Sequence, residues 1–149
     1  DNMSFSRFAN IDGTTGKIPV IESSGPMLVA NVTGINFKNT GTTTIYTVPT
    51  IGTSAFFPTS MLLYATASNS VTVVPTIRAG ISSSLTSLMA ATAMTGFDNV
   101  GEYLDLLTTT AKQIKSGCPA ASVIQIDVTI AATATTFTGG VALFGYFLG

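Results

Sequence analysis

The sequence predicts an all-β protein, a single jelly-roll-like β-sandwich with an extended N-terminal arm. Short runs of apolar and β-branched residues recur along the chain, and Gly, Pro, Asn and Ser turns separate them. Strict period-two alternation marks one of these runs, whereas helical spacing is rare. The 149 residues fit one domain and one core, and an eight-strand jelly roll fits this length. An immunoglobulin-like sandwich is the alternative, but its Cys–Trp–Cys signature is missing.

The first 25 residues differ from the rest and form the predicted arm, and residues 26–149 form the predicted sandwich. Phe5, Phe8 and Ile11 stand among Ser, Asn, Asp and Gly. A short strand is predicted over 17–22, and Ser, Gly and Pro break the chain at 23–26. Two interpretations remain open: a frayed terminus, or an arm whose Phe5 and Phe8 dock on a neighbouring chain.

The body is predicted to be a series of strands bounded by turn residues. Turns are expected at 38–41 and 67–70, and Pro75 suggests an edge or a bulge. Ser84 to Thr95 is the exception, because Leu85, Leu88 and Met89 follow helical spacing, so a short helix or loop is expected there. The predicted strands cover residues 27–37, 43–48, 60–66, 71–77, 103–108, 121–130 and 138–148.

Two of the predicted strands differ in the character of their faces. In 121–130, Ile124, Ile126 and Val128 alternate with mostly polar residues, which predicts one buried face and one wet face. In 138–148 both faces are apolar, which indicates cover on both sides. A two-layer sandwich covers one face only, so a neighbouring subunit is expected on the other. The interface candidates of this strand and of the arm are Val141, Phe144, Tyr146 and Leu148, with Phe5, Phe8 and Ile11.

Composition argues against several classes of function. Charged residues are 9% of the chain, and its six basic residues are scattered, so no footprint for nucleic acid is expected. The longest apolar run, 141–148, is far shorter than the roughly 20 residues that span a bilayer. There is no histidine and one cysteine, so no Ser-His-Asp triad and no cysteine zinc site is expected. No enzyme activity, metal or cofactor is predicted.

The remaining chemical candidates are weak. Asp98, Glu102 and Asp105 lie close in sequence and suit an acid–base pair or a calcium site, but a solvated loop is the favoured interpretation. Cys118 has no histidine to activate it and is interpreted as a structural or incidental thiol. The four tyrosines sit within predicted strands, where packing is the expected role.

Several motifs resemble the small β-sandwich decoration, or cement, proteins of tailed-phage capsids. They are Thr44-Ile45-Tyr46-Thr47-Val48-Pro49, Phe57-Pro58, Met61-Leu62-Leu63-Tyr64, and Val74-Pro75-Thr76-Ile77 with Gly80. The resemblance covers roughly residues 40–148 and is one of style and composition. It implies a homotrimer with a terminal arm, located on the outer capsid surface, that clamps neighbouring major capsid subunits.

The expected function is therefore that of a virion structural protein, a capsid decoration protein that stabilises the shell. Low charge and a net charge of −1 favour self-association, which agrees with this role. Two alternatives stay open: another virion component (fibre, tail or minor capsid protein), and a carbohydrate-binding or adhesin-like β-sandwich.

Overall fold

Nine β-strands make up the fold. The computed structural model describes residues 25–52, 55–108 and 117–148, and these residues contain no helix. The predicted strand at 17–22 and nearly all of the predicted arm lie outside the described residues. The strands are β1 Met27–Asn36, β2 Gly41–Thr47, β3 Ala55–Asn69, β4 Thr76–Ile81, β5 Ser84–Ala93, β6 Tyr103–Asp105, β7 Cys118–Pro119, β8 Val123–Ile130 and β9 Thr136–Leu148.

The strands form two antiparallel sheets with jelly-roll order. One sheet runs β1-β9-β3-β6, with the short β7 also pairing with β3, and the other runs β2-β8-β4-β5. Most successive strands cross from one sheet to the other, and β4–β5 is a hairpin within one sheet. Leaving β7 aside, this interleaved order is that of an eight-strand jelly roll. The predicted fold class is confirmed.

The hydrophobic core lies between the two sheets. Ile124 and Ile126 of β8 point into it from one sheet, and Leu63 and Leu143 point into it from the other; all four side chains are fully buried. At one position three aromatic rings meet, because Phe37 packs edge-on against Phe97 and Phe137, with ring centroids 5.5 and 5.0 Å away. The alternation predicted for β8 thus produces its buried face.

The prediction of a helix or loop over Ser84 to Thr95 was wrong, since most of this segment is strand β5. Its pairing with β4 shifts register twice, between Ile77 and Ala79 and between Ala79 and Ile81. Such irregularities break the period of two, and the adjacent Leu88 and Met89 are both buried. Together with Leu85 they imitate helical spacing, although Ser and Thr favour a strand over a helix here.

The region around Pro75 also departs from the prediction. Strand β4 begins at Thr76, immediately after Pro75, because proline has no N–H to donate to a ladder. The preceding Val73 forms a single bridge with Thr133 instead of a strand. The turn predicted at 67–70 is shorter than expected, since β3 continues to Asn69 and Ser70 turns the chain with a φ of 55°.

Candidate functional site

The outer face of the β1-β9-β3-β6 sheet is the feature that sets this sandwich apart. Outward-facing side chains on all four of these strands are mostly aromatic or aliphatic, and we call this surface the apolar face. Asp105 is the one charged residue in the described strands of this sheet. The residues of the apolar face are Leu28, Phe57, Leu62, Tyr64, Tyr103, Ala142, Phe144, Tyr146 and Leu148.

Strand register makes the apolar face continuous. Its residues lie opposite one another on neighbouring strands, where side chains are close enough to touch. Strand β9 contributes the central column, from Ala142 to Leu148, and the other strands flank it. The opposing pairs are Leu28 with Phe144, Phe57 with Tyr146, Leu62 with Ala142, and Tyr64 with Tyr103.

Much of this apolar surface is open to water. Tyr103 is 71% exposed, and Leu28, Leu148, Tyr146 and Phe57 are between 42 and 54% exposed. At roughly 200 Å² per aromatic side chain, the three exposed rings alone leave about 300 Å² in water. Monomeric soluble proteins rarely expose contiguous apolar patches beyond a few hundred Å², and larger patches mark interaction sites. The apolar face reaches that range before its half-buried residues are included.

Glycine lets one tyrosine lie flat across the sheet. A Cβ on Gly140 would lie 2.5 Å from the Tyr64 hydroxyl oxygen, so only glycine leaves room for this ring. The Tyr64 hydroxyl donates a hydrogen bond to Asn31 Oδ1 on β1 and so spans β9. A groove of about 480 Å³ runs beside it, lined by Leu62, Tyr103 and Ala142 among others.

The outer face of the β2-β8-β4-β5 sheet is polar by contrast. Gln125 on β8 donates to Thr44 on β2, and both side chains face outward. Arg78 Nε lies 2.7 Å from Asp127 Oδ2, which forms an ion pair between β4 and β8. Asp127 was expected on the wet face, and it is nevertheless buried, with Arg78 hydrogen-bonded to it. One sheet therefore has an ordinary solvated exterior and the other does not.

The three candidate carboxylates differ in their partners, and two of them hold backbone. Glu102 Oε1 accepts the N–H groups of Asp98 and Asn99, both at 2.8 Å, and these bonds lower its pKa. Asp105 Oδ1 accepts the N–H of Met61 at 3.0 Å, which ties β6 to β3. Among the described residues no group of three potential ligands is placed to hold a metal ion. These contacts suit a structural role for Glu102 and Asp105.

Cys118 lies inside the core at the start of β7. Its side chain is buried, and burial raises the pKa of the thiol to about 11. A thiol with this pKa is almost entirely protonated at neutral pH, and the thiolate is the reactive form. The position therefore suits a packing role.

The interface candidates from the sequence fall into three groups. Phe144, Tyr146 and Leu148 lie on the apolar face, half-buried or exposed. Val141 was expected at the interface, but it is fully buried in the chain's own core and offers no surface. The arm candidates Phe5, Phe8 and Ile11 lie outside the described residues.

Five members of the apolar face were missed from the sequence: Leu28, Phe57, Leu62, Tyr64 and Tyr103. The run Met61-Leu62-Leu63-Tyr64 carried a usable signal, because consecutive apolar residues in a strand leave neither face polar. The expectation that the tyrosines serve in packing was wrong for Tyr103, which is the most exposed of the four.

No protein-family model, curated protein or solved structure matches this chain. In the part of the chain that the structure describes, no helix is long and apolar enough to cross a membrane.

Proposed function

We propose that this chain is a virion structural protein, a capsid decoration (cement) protein that binds between major capsid subunits on the outer shell and stabilises it. The observation that carries the proposal is the apolar face. An uncovered apolar surface of this size disfavours a free monomer in water, since water contact costs about 25 cal/mol per Å². A protein with such a face works inside an assembly.

The body of the protein supports a structural role. Jelly rolls occur in viral capsid proteins and also in lectins and cupins, so the fold permits this function without selecting it. The low charge supports assembly, because exposed threonine and alanine lose little hydration when they are covered. The carboxylates that hold backbone and the buried Cys118 suit a rigid scaffold.

The step from assembly to a capsid rests on the resemblance of the stretch from Thr44 to Gly80. Decoration proteins of that style are typically trimers, and a homotrimer is the oligomer that we propose here. A trimer on a symmetric shell repeats each contact three times, so weak contacts add up to stable attachment. Residues 1–16, with Phe5 and Phe8, are the proposed arm that reaches a neighbouring chain.

Counting copies in purified particles tests this proposal. Particles of the virus that encodes the chain are banded by density, and peptide mass spectrometry compares this chain with the major capsid protein. A decoration protein is expected at a fixed ratio of the same order as the major subunit. A few copies per particle would instead indicate a tail, fibre or minor component, and absence from the particles would refute a virion role.

The carbohydrate-binding alternative has one observation in its favour. Tyr103 is exposed beside the 480 Å³ groove, and exposed aromatic rings are common platforms for sugars. The groove has few free polar partners, because the Tyr64 hydroxyl already donates to Asn31. A glycan array with the full chain separates the two proposals: binding that is lost in Tyr103→Ala would favour the lectin reading.

A further inference from the structure

We infer that a second copy of this chain covers the apolar face, so that the β1-β9-β3-β6 sheet is the subunit interface of a homo-oligomer. The polar outer face of the other sheet then remains free for water or for a different partner. This inference names the surface that the proposed oligomer uses. It stands on the face itself, and the experiment below distinguishes it from capsid binding.

The size of the face matches what a stable contact between copies requires. From Gly140 to Leu148 the central strand extends about 30 Å, and the four strands with their side chains are about 20 Å wide. The resulting area of about 600 Å² approaches the roughly 800 Å² per partner of a standard interface. Its Tyr, Phe and Leu side chains are those that the centre of a homodimeric interface favours.

The charge pattern favours a second copy over an unlike partner. Asp105 is the one charged residue in the described strands of this sheet, and its carboxylate is engaged by Ser60, Met61 and Leu107. Two identical faces can therefore approach without a repelling pair of free charges. Partners selected by charge would find no cation in these strands, whereas an apolar face is complementary to itself.

The strand edges are poor alternatives for this contact. Strand β1 carries register shifts between Leu28 and Ala30 and between Val32 and Ile35, and β6 is three residues long. On the other sheet, β2 shifts register between Thr44 and Tyr46. Bulged or very short edge strands resist pairing with a further strand. Association through the face is the remaining route.

Sedimentation velocity and light scattering of the full chain test the inference. The interface variant is Leu28→Lys with Tyr103→Lys, two exposed positions whose change leaves the core intact. The matched control is Thr42→Lys with Thr129→Lys, which places the same charges on exposed positions of the polar sheet. Circular dichroism and thermal unfolding verify that both variants fold.

We expect wild type and control to sediment as an oligomer of the 15.3 kDa chain, and the interface variant as a monomer. Its apparent dissociation constant should rise at least about 100-fold, as for the loss of hot-spot residues. A wild-type monomer at 100 μM (roughly 100-fold above a 1 μM dissociation constant) would overturn the inference, as would a folded interface variant that stays oligomeric. An oligomer disrupted only by the interface variant, yet absent from virus particles, would uphold this inference and refute the capsid role.

Discussion

Removing the carboxylate of Asp105 should loosen β6 and lower the stability of the whole sandwich. Its oxygens accept hydrogen bonds from Ser60 Oγ, Met61 N and Leu107 N, each at 3.0 Å. Hydrogen bonds to a charged group contribute about 1.5–3 kcal/mol each. Because Asp105 is half-buried and water replaces part of what is lost, we expect Asp105→Ala to lower the free energy of unfolding by about 2–4 kcal/mol.

Urea unfolding followed by tryptophan-independent circular dichroism measures this loss. With a slope of about 2 kcal/mol per molar urea, the midpoint should fall by about 1–2 M, with the slope unchanged. Protein concentration is held constant, because an oligomer's stability depends on it. The control is Asp98→Ala, since the Asp98 carboxylate accepts from the exposed Asn99 amide. A loss below about 0.5 kcal/mol, equal to an ordinary surface substitution, would refute the structural role assigned to Asp105.

Three further outcomes are expected. Gly139→Ala should abolish soluble expression, because the new Cβ would meet the Tyr64 carbonyl oxygen of the neighbouring strand, whereas Gly25→Ala, with open space around it, should express normally. For Cys118, whose pKa is raised from 9.0 to about 11, the neutral thiol is favoured in the fold, so stability should fall as pH rises through that window. Cys118→Ala should remove this part of the pH dependence in urea midpoints. For Glu102, whose pKa is lowered, the stabilisation should be present above pH 4.5 and be lost as pH falls below it. An NMR titration midpoint of Glu102 at or above 4.5 would contradict this account.

Local patterns predicted most of the fold because strand alternation is a property of the chain itself. In β8 the buried Ile124 and Ile126 are separated by Gln125, as a strand with one wet face requires. The same logic identified β9 as a strand with two apolar faces. Strand β5 escaped it, because register shifts against β4 place the adjacent Leu88 and Met89 in the core. Irregular pairing depends on the partner strand, which a local pattern does not contain.

The apolar face was predicted only where one strand revealed it. Phe144, Tyr146 and Leu148 belong to β9, whose double-sided pattern is visible in the sequence. Tyr103 joins the face because β6 pairs with β3 and brings it opposite Tyr64. Leu28 joins it because β1 pairs with β9. Such neighbours come from sheet order and register, which involve residues far apart in the chain.

Electron microscopy of the native virus particle tests the central claim most directly. The account predicts copies of this jelly roll at regular positions on the outer shell, between major capsid subunits. In each copy the face around Phe144 and Tyr146 should be covered by protein, and the resolved contact should identify a second copy as its cover. Shells without this protein, or copies whose apolar face is open to solvent, would contradict the account.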